Sequence, residues 1–578
     1  MRLHIHRWLG AGLAATLAVS LAACAGSDRG NESSGSSTAA AGSDASSAGS
    51  AAGGPSDPNG QIVFGAAGAP SMFDPMYATD GETFRVVRQM NEGLTGFKPG
   101  TADVEPALAK SWEKSSDGLT WTFTLQDGVK FHDGTPFDAA AVCYNLDRMY
   151  AQTGAGITQG QYWSDNMGGF KGQKDAKGKP VPSLYGSCKA SDAGAAAITL
   201  TRVTSKFPAL LGLPSFSMQS PTALKQYDAN NVKAEGDSFI YPAYATDHPT
   251  GTGPFKFQAY DKANNTVTLV RNDDYWGEKA KSKKLIFKII PDETARKQEL
   301  EAGTIDGYDL PNPADWDGLK SSGFNLEIRP AFNILYLGFT LKNPDLQDLR
   351  VRQAIAYALN RPQLVSSQLP EGAVVASLFY PDTVTPYTQG VQAYDYNVQK
   401  AKDLLAAAGK SNLTLNFWWP TDVTRPYMPD PKSIFTAFKS DLQAAGITIK
   451  ETSKPWNGGY LDGVEAQQAD IFLLGWTGDY NTPDNFLGSF FSDTTNRFAT
   501  SNVPWGTKLS GELQTADSTV DDTQRNALYD TINKELMADY LPGVPVSSSS
   551  PALVLASNVQ GMVASPLTDE KFAPVYKN

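Results

Sequence analysis

Residues 107–148 read ALAKSWEKSSDGLTWTFTLQDGVKFHDGTPFDAAAVCYNLDR, and more of the fold follows from this run than from any other in the chain. Trp121, Phe123 and Leu125 alternate with Thr122 and Thr124, the period-2 pattern of a strand with one face in a core. Asp117-Gly118 precedes this strand and Asp127-Gly128 follows it. Both are turn dipeptides, since glycine takes up the backbone angles of a tight turn at no steric cost. The run is therefore a short meander of strands. Together with the Gly- and Ser-rich loops that follow, it makes 107–200 a mostly β subdomain.

A chain of 578 residues is too long for one core and implies two or three lobes. Hydrophobic residues make up 41% of it, enough for real cores. A formal charge of −12 and a pI near 5.0 argue against a nucleic-acid partner, because a phosphate backbone demands clustered Lys and Arg. The longest basic cluster, KAKSKK at 279–284, reads as a solvated surface. Aromatics reach 11%, with 11 Trp, more than cores alone require; a ligand cleft would use some of them.

Arg2 and Arg7 followed by the apolar stretch from Trp8 to Leu21 read as an export signal, too short for a permanent membrane span. Leu21-Ala22-Ala23-Cys24 resembles a lipobox, which would leave Cys24 as a lipid-carrying N-terminus. Each buried methylene contributes about 0.8 kcal/mol, so two or more acyl chains hold a protein on a membrane. Residues 25–60 turn to Ser, Gly, Ala and Asp and read as a disordered tether, with a root-mean-square span of roughly 30–35 Å. The expected location is the extracytoplasmic face of the cell membrane, attached by lipid only. Cys143 and Cys188 are an even pair beyond the lipobox, and an exported chain predicts a disulfide between them, tying down the loop around Cys188.

Upstream, QIVFG at 61–65 reads as a strand leading into the loop GAPSMFDPMYATDGE. Downstream, Asp292 caps a helix, TARKQELEA, that stops at Gly303. From 305 the pattern becomes α/β. Asp348 caps a helix with Val351, Ile355 and Ala358 on one face, which Pro362 ends; Asn397 caps another, which Gly409 ends. A strand at 413–419, a helix at 433–445 with Ile434, Phe435, Phe438 and Leu442 as its stripe, and strands at 447–451 and 469–476 follow. This alternation predicts a parallel or mixed sheet.

Ligands of open α/β sheets sit beyond the carboxyl ends of the strands. Arg425 lies directly after the 413–419 strand, in TDVTRPYMP, and Asp479 directly after the 469–476 strand, in GWTGDYNTPDNF. A guanidinium grips a carboxylate in a fork, and a carboxylate accepts hydrogen bonds from an ammonium. A short peptide carries both groups, roughly 7 Å apart in a dipeptide. A loop Arg and a loop Asp also pair with each other or with water, and the residues alone leave both readings open.

The 107–148 run resembles the signature of the large solute-binding proteins that serve ABC importers of peptides, nickel and related solutes. GTGPFKF (251–257), LVRNDDYW (269–276) and RVRQAIAYALNR (350–361) resemble further blocks of that family, in its order, so that the likeness covers about 500 residues. It implies a two-lobed periplasmic-binding-protein-like α/β fold with an extra mostly β subdomain inserted in the first lobe. Lobe I would comprise 61–106, 201–304 and 531–578, the insertion 107–200, and lobe II 305–530. A chain crossing between lobes more than once has a natural hinge for closure around a ligand.

The segments after the two strands are similar to the dipeptide-binding branch. There an Arg before Pro-Tyr holds the ligand carboxylate and an Asp after Gly-Trp-Thr-Gly holds its α-ammonium, which implies these roles for Arg425 and Asp479. Trp476, Thr477 and Tyr427 would pack beside the peptide, and Thr79 and Gly81, in YATDGET, would close over it from the other lobe. Relatives with similar loops take longer peptides or haem.

Other chemistries fit poorly. SWEK (111–114) and SDN (164–166) are spaced as in a β-lactamase, but no K-T-G or K-S-G follows and SWEK falls in the family run. No G-x-S-x-G occurs, and His132 and His248 are the only histidines outside the signal, which leaves neither a His-dependent triad nor a metal site. Asp273-Asp274 and Asp521-Asp522 lack the alternating ligands of a Ca²⁺ loop. The expected protein is a monomeric, lipid-anchored solute-binding protein without cofactor or catalysis, delivering short peptides to an ABC permease. A haem- or metal-chelate-binding member of the same family and a lipid-anchored hydrolase are the alternatives.

Overall fold

Two sheets organise the molecule in a computed structural model that describes residues 60–578 apart from 176, 192–193, 236–237 and 422. The expected signal, Cys24 and the tether lie outside the described residues. The first sheet has seven strands, in the order Phe255–Asp261, Thr266–Arg271, Lys284–Ile289, Gln61–Ala66, Gly307–Asp309, Ala552–Leu555 and Asn325–Ile328. Gln61–Ala66 runs parallel to both neighbours, while the outer pairings are antiparallel. The second has six, in the order Val374–Val375, Gly543–Ser548, Asn333–Phe339, Ile471–Thr477, Thr414–Pro420 and Thr448–Lys454. Its Thr414–Pro420 strand is parallel to both neighbours and Asn333–Phe339 antiparallel to both of its own, the mixed sheet that strand–helix alternation predicts. Asn333–Phe339 is buried at every position, as a central strand covered on both faces must be.

The inserted subdomain is a four-stranded antiparallel sheet, ordered Ala109–Lys114, Thr120–Leu125, Ala195–Leu200 and Tyr185–Ser191. Trp121, Phe123 and Leu125 face its core, and Thr122 and Thr124 are half-buried, as the alternation requires. Helix Ala139–Tyr150, capped by Asp138, packs on this sheet and is joined to it by the Cys143–Cys188 disulfide. The expected pairing is therefore present, but Cys188 sits on a strand rather than in a loop. His132 is structural: its Nε2 lies 2.9 Å from the Gly253 carbonyl, pinning the GTGPF turn. Burial pushes its pKa down to about 4.

Three boundaries differ from the sequence reading. Gly307–Asp309 and Asn325–Ile328 belong to the first sheet, so its chain continues past 305 and crosses to the second sheet at 329–332. Helix Asp522–Glu535 and strand Gly543–Ser548 belong with the second sheet, so the return lies at 549–551 rather than 531. Pro362 does not end the helix that Asp348 caps, which stops at Ala358; it lies in the first turn of the next, Arg361–Gln368, where its missing N–H leaves no helical bond unmade.

The two crossings hold each other. The Arg329 amide donates to the Pro551 carbonyl at 2.8 Å, and the Asn333 side chain exchanges two hydrogen bonds with the Ser549 backbone, at 2.8 and 3.0 Å. Beside them Arg329 is fully buried between Asp309 (2.6 Å) and Glu570 (2.7 Å), with Arg85 on the other oxygen of Asp309. Burial alone would raise the Asp309 carboxyl, but the two guanidiniums outweigh it and hold the group well below the usual carboxylate range.

Candidate functional site

A cavity of about 1370 Å³ opens between the lobes, lined by side chains of both. Its second-lobe wall is built from the loops that leave the carboxyl ends of Thr414–Pro420 and Ile471–Thr477. Arg425 stands in a tight turn closed by its own N–H to the Met428 carbonyl (3.1 Å) and by the reverse bond (2.9 Å). Its guanidinium carbon lies 4.5 Å over the Trp456 ring, and among the described residues it has no ion-pair partner. The flat cation is thus supported on one face with its donors uncommitted to any carboxylate.

Asp479 lies in a loop fixed at three points. Its backbone N–H donates to Asn485 Oδ1 at 2.7 Å, the same oxygen accepts from Trp476 Nε1 at 3.4 Å, and Gly478 N–H donates to the Phe332 carbonyl at 2.9 Å. Gly478 is required by packing, since a Cβ there would stand 2.4 Å from the Phe332 ring and 2.7 Å from that of Phe486. Gly475, three residues earlier on the strand, is likewise covered by the Tyr427 ring, 2.4 Å from where a Cβ would be. Burial pushes the Asp479 carboxyl up to about 6, with Asp165 adding to the rise, although hydrogen bonds from Asn485 and Tyr162 and the charge of Arg88 pull the other way. Arg88 is itself paired with Asp569 at 3.3 Å.

Of the residues singled out from sequence, Arg425, Tyr427, Trp476, Thr477, Asp479 and Thr79 all line this one cavity. Tyr427 is buried, Trp476 and Thr477 are half-buried, and Thr79 is exposed at the opposite, first-lobe wall. Gly81 is not among the lining residues; it opens helix Gly81–Met90, capped by Asp80, with its face in open space. Arg425 and Asp479 do not bridge each other.

The sequence reading missed most of the first-lobe wall. Helix Gln161–Met167 of the inserted subdomain lays Tyr162, Asp165 and Asn166 on the cavity, and Tyr162 Oη donates to Asp479 Oδ1 across the cleft at 3.4 Å. Nearby, Lys206 pairs with Asp484 at 2.5 Å, Arg202 with Asp517 at 3.0 Å, and Thr204 Oγ1 donates to Asp517 at 2.7 Å. These join a first-lobe loop to two second-lobe helices, Asp484–Phe491 and Pro504–Ser518. SDN at 164–166, weighed above as part of a β-lactamase pattern, lies on this helix.

Residues 103–498 match the model of the middle region of the bacterial extracellular solute-binding proteins, family 5. The chain is 31% identical to the dipeptide-binding protein of Escherichia coli over 523 residues, 89% of this chain and 94% of that one. It is 29% identical to heme-binding protein A of Haemophilus influenzae, over 89% and 92% of the two chains. Among solved structures, the ABC transporter-associated periplasmic binding protein DppA of Helicobacter pylori, in complex with the peptide STSA, superposes with a TM-score of 0.70 at 27% identity, covering 90% of this chain and 98% of that one. With two sheets, a cleft between them and a family match across most of its length, the chain belongs to family 5 of the bacterial extracellular solute-binding proteins.

Proposed function

We propose that this protein captures short peptides and hands them to an ABC importer, with Arg425 taking the peptide carboxylate and Asp479 its α-ammonium. The observation that carries the reading is the pairing in one cavity of an aromatic-supported Arg and a half-buried Asp, on adjacent sheet loops, neither of which has an ion-pair partner among the described residues. Each is left with a charge to satisfy, and a zwitterionic peptide satisfies both. Tyr427 and Trp476 flank the chain between its ends, and a wide, wet cavity tolerates varied side chains. The lobes act as jaws about the paired crossings at 329–332 and 549–551, and no bond is made or broken in the ligand. Attachment through lipid on Cys24, with 25–60 as the tether, places the jaws near a membrane permease. Sequence similarity to dipeptide-binding relatives supports this choice of ligand.

Thermal unfolding of the purified protein with free di-, tri- and tetrapeptides, beside acetylated and amidated copies, tests it. Saturation at about a thousand times Kd stabilises by about 4 kcal/mol. Stabilisation lost when either end is blocked supports the two anchors; equal stabilisation by blocked peptides removes them. Haem is the second reading, favoured by the cavity volume and the haem-binding relative, and a Soret band that survives gel filtration would establish it.

A further inference from the structure

The charges of the cavity do not balance once the peptide ends are placed. Of its ionisable walls, Lys206 is committed to Asp484, Arg202 to Asp517 and Arg497 to Glu465 (2.8 Å). Asp493 is turned into its own loop, accepting from the Thr495 N–H and hydroxyl at 2.8 and 2.9 Å. Arg425 and Asp479 are reserved for the termini. One charge remains: Asp165, exposed at the cavity wall, with no cationic partner among the described residues.

Its position is specific. Tyr162 and Asp165 are three residues apart on helix Gln161–Met167 and so share a face. Tyr162 reaches Asp479 directly, which brings Asp165, on the same helix face, to the Asp479 side of the cavity. There is room beside it: about 1370 Å³ exceeds the ~300–1,000 Å³ of ordinary small-molecule pockets, so a long side chain fits beyond the two anchors. We propose that the site selects short peptides with a basic side chain, lysine or arginine, on the first residue, and that Asp165 is the residue that selects it. This rests on the peptide reading above. Asp165 meets the side-chain cation from the first lobe while Asp479 holds the α-ammonium from the second, so a basic first residue draws the lobes together and an acidic one opposes closure.

Calorimetric titration of the purified protein with Lys-Ala, Ala-Ala and Glu-Ala at low salt, for wild type and Asp165→Asn, tests this. Wild type should prefer Lys-Ala over Glu-Ala by about tenfold, and the variant should reduce the ratio to about twofold or less. Raising the salt should narrow the wild-type ratio in the same direction, a readout that needs no substitution. Equal wild-type affinities for Lys-Ala and Glu-Ala, or an unchanged ratio in Asp165→Asn, overturns the inference and leaves peptide binding intact. Binding of none of the three peptides overturns both.

Discussion

The two walls of the cleft are built differently. On the second-lobe side each anchor loop has a rigid backing: Gly478 lies against Phe332 and Phe486, Gly475 under Tyr427, and Asn485, only 3% exposed, gathers both the Asp479 amide and the Trp476 indole. On the first-lobe side a two-turn helix and a loop present exposed polar groups, Gln161, Asp165 and Arg202. A wall fixed by packing suits groups that every ligand shares, its two ends. Solvated side chains suit what varies between ligands, while the same wall also reaches across the cleft through the buried Lys206–Asp484 pair and the Thr204–Asp517 hydrogen bond.

This contrast is broken most directly at the anchors. If Arg425 takes the peptide carboxylate as proposed, Arg425→Ala should lower peptide affinity by about 2–5 kcal/mol, at least about 30-fold, in calorimetric titration. Asp479→Asn should lose affinity similarly while stabilising the empty protein. The reason is the sign of its shift. A carboxyl raised from 3.8 to about 6 in the folded state favours folding when protonated, and that contribution is lost as the pH rises through about 6. At pH 7 the charge is therefore a liability, and replacing it should gain about 1–3 kcal/mol in urea unfolding, a gain that vanishes near pH 4. A bound ammonium reverses the shift, so wild-type affinity should fall by about tenfold per pH unit below about 6 as one proton competes with the ligand.

The backing of the fixed wall is tested at Gly478. In Gly478→Ala the added methyl meets Phe332 at 2.4 Å, so the loop or the ring must move. A cost of about 1–3 kcal/mol in unfolding is expected, together with weaker peptide binding because Asp479 is the next residue. An unchanged affinity alongside the stability loss would mean that the loop's exact position does not matter, and would remove the rigid-wall half of the comparison.

The same asymmetry decided what could be read from sequence. The second-lobe strands carry strong apolar patterns and end in charged loops, so Arg425 and Asp479 stand out beside Thr414–Pro420 and Ile471–Thr477. Asp165 and Tyr162 sit in a Gly-rich stretch on a seven-residue helix, with no period long enough to register, and only tertiary folding brings them to Asp479. The strands Gly307–Asp309 and Asn325–Ile328 have three and four residues and are held in the sheet by their partners, so no sequence period marks them and the pattern alone puts the lobe boundary at 305. In Gly543–Ser548 every residue is buried although all but the two valines are Gly, Pro or Ser, a composition that hides a core position.

The smallest effect is expected at the solvated edge of the first-lobe wall. The Arg202 side chain is 56% exposed, and its 3.0 Å pair with Asp517 spans the cleft in contact with solvent. Such pairs contribute about 0.2–1 kcal/mol and are screened by salt. Arg202→Ala should therefore weaken peptide binding by about fivefold at most, through faster release, and the difference should shrink at high salt. Thr204 keeps its 2.7 Å hydrogen bond to the other Asp517 oxygen, which limits the loss. A drop as large as that of Arg425→Ala would place a ligand group on Arg202 itself, and the first lobe would then supply an anchor as well as a cover.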